Sequence, residues 1–270
     1  MVTVIEASDL SFRYGDRPVF EGMDLRFEGD EGLVCILGPN GVGKTTLIRC
    51  LAGLTEPTGG RVLVDGEDAS SIPGRRLAEK IAFVSSATGP QFQSTVFDTV
   101  LMGRSRGLGL RMRGEDVSIA TDAMRVMDLL DLRDRYVTEL SAGQFQRTMI
   151  ARGLAQDTAV LMLDEPTSNL DIGYQAFIAS FMRGMARSES KLAIMICHDI
   201  NLASKFADMI VMMGPSGRLH SYGPAEEVIT EECISEVYGT ACDIVSHEGR
   251  PAVLIRGSTV RCDGPDNAWV

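Results

Sequence analysis

The feature that most constrains the fold is a glycine-rich string between an apolar run and a helix-forming run. Residues 38–45 are Gly-Pro-Asn-Gly-Val-Gly-Lys-Thr, the pattern GxxxxGK[ST]. The apolar run Leu33–Leu37 precedes this string, and a run over 46–52, closed by Gly53, follows it. Strand, glycine loop and helix in this order let backbone N–H groups and the positive helix N-terminus face an anion. The string therefore predicts a loop that binds the phosphates of a nucleotide.

Four side chains suit chemistry on a phosphate at such a loop. Lys44 can reach the β and γ phosphates, and the Thr45 hydroxyl can ligate Mg²⁺. A second apolar run, Val160–Leu163, ends in Asp164 and Glu165, so two carboxylates follow a strand end, where open α/β sheets bind ligands. Asp164 suits the Mg²⁺ shell, and Glu165 can orient or deprotonate the attacking water. Alone, such a pair is usually a helix cap or a solvated pair, but the phosphate loop upstream favours the catalytic interpretation.

Apolar runs of strand length recur along the chain, bounded by Gly, Pro or Asp. Several have no alternation, which is typical of strands buried on both faces of a parallel sheet. Residues 1–30 and 61–66 alternate more and predict an antiparallel portion, whereas 98–140 shows only helical spacing. The runs are 33–37, 61–64, 81–84, 160–163, 192–197 and 209–213, and the helical positions are Ile119, Ala123, Val126, Met127 and Leu130.

The predicted fold is therefore α/β, with a mostly parallel core sheet, an antiparallel β subdomain and a helical subdomain. We expect a nucleotide-binding domain over residues 1–225, with the helical insertion at about 88–155. A C-terminal extension is expected over 226–270. A helix-like pattern covers 224–238, two apolar runs around 247–251 could pair as a hairpin, and the last dozen residues are expected to fray.

Composition excludes several classes of protein. The chain has 270 residues, of which 44% are hydrophobic and 23% charged, so disorder is excluded as its main state. A net charge of −11 argues against a dedicated nucleic-acid binder, which needs a basic face. Apolar runs of about six residues are far shorter than the roughly 20 that cross a bilayer, and the N-terminus has no signal pattern. We expect a cytosolic protein whose six cysteines are reduced.

Two more segments complete a series that resembles one family. Residues 140–144 are Leu-Ser-Ala-Gly-Gln and precede a predicted helix over 145–155, and His198 ends an apolar strand. By themselves these are a serine N-cap and a histidine of the kind found more often in a core. With the phosphate loop and the acidic pair, in this order, the chain resembles the ATPase subunit of an ABC (ATP-binding cassette) transporter over about residues 3–225. That resemblance implies a P-loop NTPase of the ABC ATPase type.

The resemblance implies a role at each matching position. Tyr14 would stack on adenine, and the signature motif 140–144 would bind the γ phosphate held by the opposite subunit, so that a homodimer of cassettes sandwiches two ATP molecules. Residues 168–171 match the D-loop that links the two sites, and His198 matches the histidine that contacts the γ phosphate. The implied catalytic residues are Glu165, His198 and Lys44. The implied nucleotide-binding residues are Tyr14, Gly38, Pro39, Asn40, Gly41, Val42, Gly43, Lys44, Thr45, Thr46, Ser141, Gly143, Gln144 and Asp171.

One position departs from the family pattern. The run Ile81–Val84 aligns with a strand that usually ends in a glutamine, which touches Mg²⁺ and the attacking water and begins the loop that contacts the membrane subunit. Here that position is Ser86, whose shorter side chain would lose the contact or make it through water. Gln91 or Gln93 could substitute only if the loop folds back. The implied metal ligands are Thr45, Asp164 and Ser86.

Three segments that are less specific than the nucleotide motifs are similar in sequence to segments of importers of iron-siderophore, haem or cobalamin. They lie at 95–104, 198–203 and 237–239. This resemblance implies ATP and Mg²⁺ as cofactors, multi-span membrane permease subunits as partners, and indirectly a solute-binding protein. It also implies a peripheral location on the inner face of the cell membrane. Four arginines within 104–113 fit either a solvated basic loop or attraction to anionic lipid headgroups.

Two other functions stay open. A soluble ABC ATPase acting on nucleic acid or ribosomes usually carries long coiled-coil insertions or two cassettes, and the insertion here is short. A nucleotide-binding module with weak turnover is suggested by Ser86, but the presence of Glu165 and His198 argues against it. ATPase activity together with a membrane partner would separate these possibilities.

Overall fold

The computed structural model describes residues 3–86, 93–105 and 112–256. Its strands are β1 (Val4–Tyr14), β2 (Arg17–Glu28), β3 (Leu33–Leu37), β4 (Gly59–Val64), β5 (Glu67–Asp68), β6 (Ile81–Val84), β7 (Val160–Leu163), β8 (Leu192–Ile196), β9 (Met209–Met213), β10 (Leu219–Gly223), β11 (Cys242–His247) and β12 (Arg250–Ile255). Its α-helices are α1 (Lys44–Leu51), α2 (Gly74–Lys80), α3 (Val96–Leu101), α4 (Gly114–Val126), α5 (Ala142–Ala155), α6 (Ile172–Glu189), α7 (Ile200–Phe206), α8 (Ala225–Val228) and α9 (Glu231–Tyr238).

A six-stranded sheet forms the centre of the fold, in the order β10-β9-β3-β8-β7-β6. The five strands from β9 to β6 are parallel, and β10 is antiparallel to β9. Every residue of β3, β7 and β8 is buried, because both faces of the sheet are covered, and this explains their unbroken apolar sequences. The carboxyl ends of these three strands meet at one edge of the sheet. The predicted parallel core is confirmed.

A four-stranded antiparallel sheet, in the order β2-β1-β4-β5, forms the second layer. Its alternating sequences bury one face, as predicted for these segments. That face packs in one hydrophobic cluster with α1 and with Val34 and Ile36 of β3, whereas Leu33, Cys35 and Leu37 of the same strand point into the cluster on the opposite side. Helix α1 is thereby fixed between the two sheets.

The segment between β6 and β7 carries α3, α4 and α5. Helix α4 covers most of the predicted helical pattern, of which Ala123 and Met127 are buried, whereas Ile119 is half-buried and Leu130 is 39% exposed. The helix ends at Val126, and Asp128 has a φ of 54°, so the chain leaves the helical register before Leu130. The residues that pack into the core here are Ala120, Ala123, Met124, Met127 and Leu129. Helix α5 also begins at Ala142, three residues earlier than predicted.

The arginines within 104–113 do not all belong to a solvated loop. Arg104 is only 9% exposed, and its guanidinium donates to the Asp116 carboxylate at 3.1 Å and to the Ala155 carbonyl oxygen at 2.9 Å. Its role is to hold the end of α3 against α4 and α5, so neither prediction for this cluster applies to Arg104. Arg106 and Arg111 lie outside the described residues.

Beyond β10 the chain forms α8, α9 and the antiparallel hairpin β11–β12. The helix-like pattern over 224–238 is interrupted between α8 and α9, where the Thr230 hydroxyl accepts from the Cys233 N–H and caps α9. The tail predicted to fray lies outside the described residues from position 257 onward. Among the helices that the structure describes, none is long and apolar enough to cross a bilayer. The five cysteines in these ranges are free; they are Cys35, Cys50, Cys197, Cys233 and Cys242.

Candidate functional site

The loop between β3 and α1 holds a buried lysine. The Lys44 ammonium donates to the carbonyl oxygens of Gly38 at 2.8 Å and Pro39 at 2.9 Å, and the residue is 5% exposed. Burial lowers the pKa of Lys44, while the charges of Glu165 and Asp164 raise it. Since neutral carbonyls compensate a buried cation poorly, phosphate oxygens would stabilise this ammonium through charge-assisted hydrogen bonds.

Glycines let this loop pass close to neighbouring strands. Gly38 has a φ of 145°, and a Cβ there would lie 2.5 Å from the Met213 carbonyl oxygen. Gly43 has a φ of 106° and precedes α1, where it provides no side-chain acceptor for the first turn. The first-turn N–H groups of α1 are therefore not capped by a side chain and can donate to an anion.

Two oxygen ligands suited to a hard cation lie beside the loop. The Thr45 hydroxyl donates to the Asp164 carboxylate at 3.0 Å, and Asp164 follows β7 and is 3% exposed. Burial raises the pKa of Asp164, and the Thr45 hydrogen bond opposes that shift. No group of three or more His, Cys, Asp or Glu side chains able to hold a metal occurs in the described ranges. A cation here would need phosphate oxygens as further ligands, and Mg²⁺ is usually bound in this way in nucleotide sites.

Glu165 and His198 lie together at the same edge of the sheet. The His198 Nε2 is 2.8 Å from the Glu165 Oε1, and the two side chains are 43% and 29% exposed. Glu165 has a φ of 51°, a left-handed conformation that is costly for a residue with a Cβ. The strand order, with β8 beside β7, explains why residues 33 positions apart in the sequence meet.

A cavity of about 630 Å³ opens beside the loop. At its rim Tyr14 is 63% exposed, and its hydroxyl lies 3.4 Å from the Thr46 hydroxyl. The Phe12 ring supports the Tyr14 ring edge-on, with centroids 4.9 Å apart. The predicted nucleotide-binding residues that line the cavity are Tyr14, Asn40, Gly41, Val42, Gly43, Lys44, Thr45 and Thr46, and Glu165 lines it too.

Part of the cavity wall was not predicted from the sequence, namely Arg17, Pro18, Val19, Ser216 and Gly217. Gly217 has a φ of 72°, and a Cβ there would lie 1.8 Å from the Val19 carbonyl oxygen. The turn before β10 thus packs directly on β2. The Gly-Pro-Ser-Gly string at 214–217 signals a turn, but no local pattern shows that this turn contacts a strand about 200 residues earlier.

The signature segment and the D-loop lie apart from the cavity. None of the described residues lining it comes from 140–144 or 168–171. The Ser141 hydroxyl accepts from the Gln144 N–H at 3.3 Å, and the Gln144 side chain accepts from the Ser141 N–H at 3.0 Å, so the pair forms a capping box that starts α5. Asp171 caps α6 by accepting from the Tyr174 N–H. These predicted binding residues do not reach the nucleotide loop of their own chain.

Ser86 lies two residues beyond β6 and is half-buried. Because β6 pairs with β7, the serine is at the same sheet edge as Asp164. Gln93 is exposed just before α3, and Gln91 lies outside the described residues. The structure therefore brings Ser86, rather than Gln93, to the strand end.

Asp164→Asn should stabilise the nucleotide-free chain while removing its response to Mg²⁺. Because burial raises the pKa of Asp164, its ionised form is disfavoured on folding. The contribution of Asp164 to the unfolding free energy is therefore favourable at pH values below the ordinary pKa of an aspartate. It is lost as the pH rises through the raised pKa of Asp164 in the folded chain. The asparagine amide still offers an oxygen that accepts from Thr45, and it avoids the free-energy cost of burying an ionised carboxylate. We therefore expect a melting temperature higher than that of wild type at neutral pH.

Scanning calorimetry with and without ATP and Mg²⁺ checks this expectation. Wild type should gain stability from the two together, and Asp164→Asn should gain much less. A melting temperature below that of wild type without nucleotide would contradict the assignment of an ionised, poorly compensated carboxylate.

Comparison with known proteins identifies the family. Residues 20–168 match the family described as ABC transporter. The chain is 33% identical over 262 residues to the ferric enterobactin transport ATP-binding protein FepC of Escherichia coli, covering 96% of each chain. It is 34% identical over 253 residues to the hemin import ATP-binding protein HmuV of Thermobifida fusca, covering 93% of this chain and 88% of that one.

Two solved structures have the same fold as this chain. A putative metal-chelate type ABC transporter in an inward-facing conformation superposes with a TM-score of 0.78 at 24% identity, over 94% of this chain and 96% of that chain. The cbiO1 component of the cbiONQ transporter complex from Clostridium perfringens superposes with a TM-score of 0.74 at 26% identity, over 87% of this chain and 93% of that chain. The resemblance found in the sequence motifs is confirmed, and the chain belongs to the ABC transporter family as one of its ATPase cassettes.

Proposed function

We propose that this chain is the ATPase subunit of a membrane importer for iron-siderophore complexes, haem or cobalamin. The observation that carries this proposal is the extent of the match to relatives with such names. The alignment with FepC covers 96% of this chain, so it includes most of the segment after position 225. We assign residues 1–225 to the ATPase domain, with its helical insertion at about 88–155, and 226–270 to an extension that this group of importers shares.

The geometry at the sheet edge supports a division of labour in ATP hydrolysis. Lys44 would bind the β and γ phosphates, and Thr45 and Asp164 would hold Mg²⁺. When bound, Mg²⁺ neutralises charge on the transferred phosphoryl group. Glu165 orients the attacking water and accepts its proton, and His198, 2.8 Å from Glu165, contacts the γ phosphate. Tyr14 offers an exposed ring on which adenine stacks.

The separation of the signature segment from the cavity supports a site completed by a second chain. Ser141 and Gly143 lie at the N-terminus of α5, a favourable position for an anion, yet they do not line the cavity of their own chain. In a head-to-tail homodimer each signature segment binds the γ phosphate held by the partner. The dimer then sits against permease subunits on the inner face of the cell membrane and responds indirectly to a solute-binding protein.

Reconstitution tests this proposal. The chain, co-expressed with a candidate multi-span permease and the solute-binding protein, should co-purify with the permease, and membrane vesicles should import one of the three solutes only when ATP is present inside. A Lys44→Ala complex is the matched control for assembly without hydrolysis. ATPase activity stimulated by RNA or ribosomes, with no permease retained, would instead support the soluble alternative.

Substitutions at Ser86 test the weak-turnover alternative. The serine hydroxyl is too short to hold both Mg²⁺ and the attacking water, so water fills the gap and hydrolysis persists. Ser86→Gln should change the ATPase rate, or its stimulation by the permease, by about fivefold, the equivalent of about 1 kcal/mol for one neutral hydrogen bond. Ser86→Ala should have little effect.

ATPase rates with and without the permease, for wild type and both variants, decide the outcome. A severe loss in Ser86→Ala would make the serine itself catalytic. An equal loss in Gln93→Ala would mean that the aligned position is displaced.

A further inference from the structure

The signature segment touches the D-loop of its own chain. A Cβ added at Gly143 would lie 3.1 Å from the Asn169 carbonyl oxygen and 3.4 Å from the Leu170 side chain. Glycine therefore allows the first turn of α5 to pack directly on the backbone of the D-loop. The two segments that the proposed function directs toward the partner chain are in contact before any partner is present.

A buried arginine joins the helices α5 and α6, which follow the signature segment and the D-loop. Arg147 is 8% exposed. The two N–H groups of its Nη1 are shared among four acceptors: the Tyr174 hydroxyl at 2.9 Å, the Met127 carbonyl oxygen at 3.0 Å, and the Asp128 carbonyl oxygen at 3.1 Å and carboxylate at 3.3 Å. Its guanidinium carbon lies 4.4 Å from the centre of the Tyr174 ring. The Tyr174 hydroxyl in turn donates to the Asp128 carboxylate at 2.9 Å. Three side chains thus form a closed network, which we call the latch.

The latch connects the starting points of two helices. Arg147 lies on α5, which begins after Ser141, and Tyr174 lies on α6, which begins after Asp171. The Tyr174 N–H also donates to the Asp171 carboxylate at 3.0 Å. Asp128 follows α4 and adds the helical insertion to the connection. A change in the angle between α5 and α6 would break hydrogen bonds to a buried charge, which is costly.

We propose that Arg147, Asp128 and Tyr174 are positioning residues that hold the signature segment and the D-loop as one rigid unit for closure of the ATP-bound dimer. This rests on the proposed function, because the unit matters only if both segments dock on the partner. Two segments fixed relative to each other dock in one step, whereas independent segments lose additional conformational freedom on docking. The latch leaves the phosphate loop of its own chain untouched, so it acts on closure and not on the first binding of ATP.

Tyr174→Phe tests the proposal in a Glu165→Gln background, where the ATP-dependent dimer should persist. The variant keeps the ring beneath Arg147 and removes only the hydroxyl. Light scattering across a titration of ATP with Mg²⁺ should show half-maximal dimer at an ATP concentration about 3- to 10-fold higher, because the hydroxyl both accepts from Arg147 and donates to Asp128. Binding of a fluorescent ATP analogue to dilute, monomeric protein should change by less than about twofold.

Tyr222→Phe is the matched control. Its hydroxyl donates to the Glu31 carboxylate at 2.6 Å, again a hydrogen bond from a tyrosine to a carboxylate, and Tyr222 lies on β10 rather than on α5 or α6. This control should lower the melting temperature as Tyr174→Phe does and leave the dimer titration unchanged. Arg147→Lys, which loses the planar fork, should shift the titration in the same direction, and combining it with Tyr174→Phe should add less than the sum, since both disrupt one network.

The outcomes separate the two proposals. If Glu165→Gln alone gives no ATP-dependent dimer, the proposed function fails at its shared site. If that dimer forms and Tyr174→Phe titrates like its parent, or Tyr222→Phe shifts the titration equally, the latch is rejected while the shared site stands. A loss of analogue binding in the Tyr174→Phe monomer would also overturn the latch, because the effect would then lie on the phosphate loop.

Discussion

Glu165→Gln should abolish steady-state ATP hydrolysis, leave ATP binding intact, and cause an ATP-dependent dimer to accumulate. The amide is nearly isosteric with the carboxylate but cannot accept the proton of the attacking water, and general bases contribute about 10²- to 10⁴-fold to rates. Lys44 and Thr45 remain to bind the phosphates. Phosphate release, binding of a fluorescent ATP analogue, and sizing chromatography with ATP and Mg²⁺ measure the three effects.

Glu248→Gln is the matched control for this change. Glu248 is exposed on the C-terminal hairpin turn and pairs with Lys205 at 3.2 Å, so its neutralisation should leave hydrolysis and oligomeric state unchanged. A monomeric Glu165→Gln protein with hydrolysis near wild type would remove Glu165 from its assigned role. Loss of analogue binding as well would show that Glu165 acts on nucleotide affinity rather than on the chemical step.

The residues of the proposed site that local sequence patterns place at one edge of the sheet are encoded after strand ends. Lys44, Asp164 and His198 follow β3, β7 and β8, each recognisable as a buried apolar run. Parallel strands bring their carboxyl ends to one edge, so local patterns sufficed to place these side chains together. The family resemblance added Tyr14, whose ring carries no local signal of its own.

What the sequence could not supply depends on contacts between distant segments. The distance between Glu165 and His198 depends on the order of the strands, and the packing of Gly217 on Val19 joins parts of the chain that share no pattern. The apolar spacing over 119–130 continues past the end of α4 at Val126, so Leu130 is exposed although Ala123 and Met127 are buried. Tertiary packing, not periodicity, decided that boundary.

Lys44→Ala and Ser141→Ala should each inactivate the homodimer, and mixing the two inactive proteins should restore activity. Lys44→Ala removes charge-assisted hydrogen bonds to phosphate and should weaken ATP binding about 10- to 100-fold. Ser141→Ala removes a γ-phosphate contact at the start of α5. If each site takes Lys44 from one chain and Ser141 from the other, a mixed dimer has one site damaged twice and one intact site. Random pairing at equal concentrations should recover about one quarter of wild-type activity, if the sites act independently.

Loss of the Ser141 helix cap must be separated from loss of a phosphate contact, since removing an N-cap costs about 1 kcal/mol. Thr230→Ala is the control, because the Thr230 hydroxyl caps α9 by accepting from Cys233 at 3.1 Å and lies outside the proposed site. It should lower stability comparably and retain hydrolysis.

If mixing restores nothing, trapped ATP in the Glu165→Gln background distinguishes the explanations. One trapped ATP per mixed dimer, with none trapped by either variant alone, would indicate intact sites that hydrolyse only in concert. Equal trapping by Ser141→Ala alone, or none in the mixture, would reject a site shared between chains.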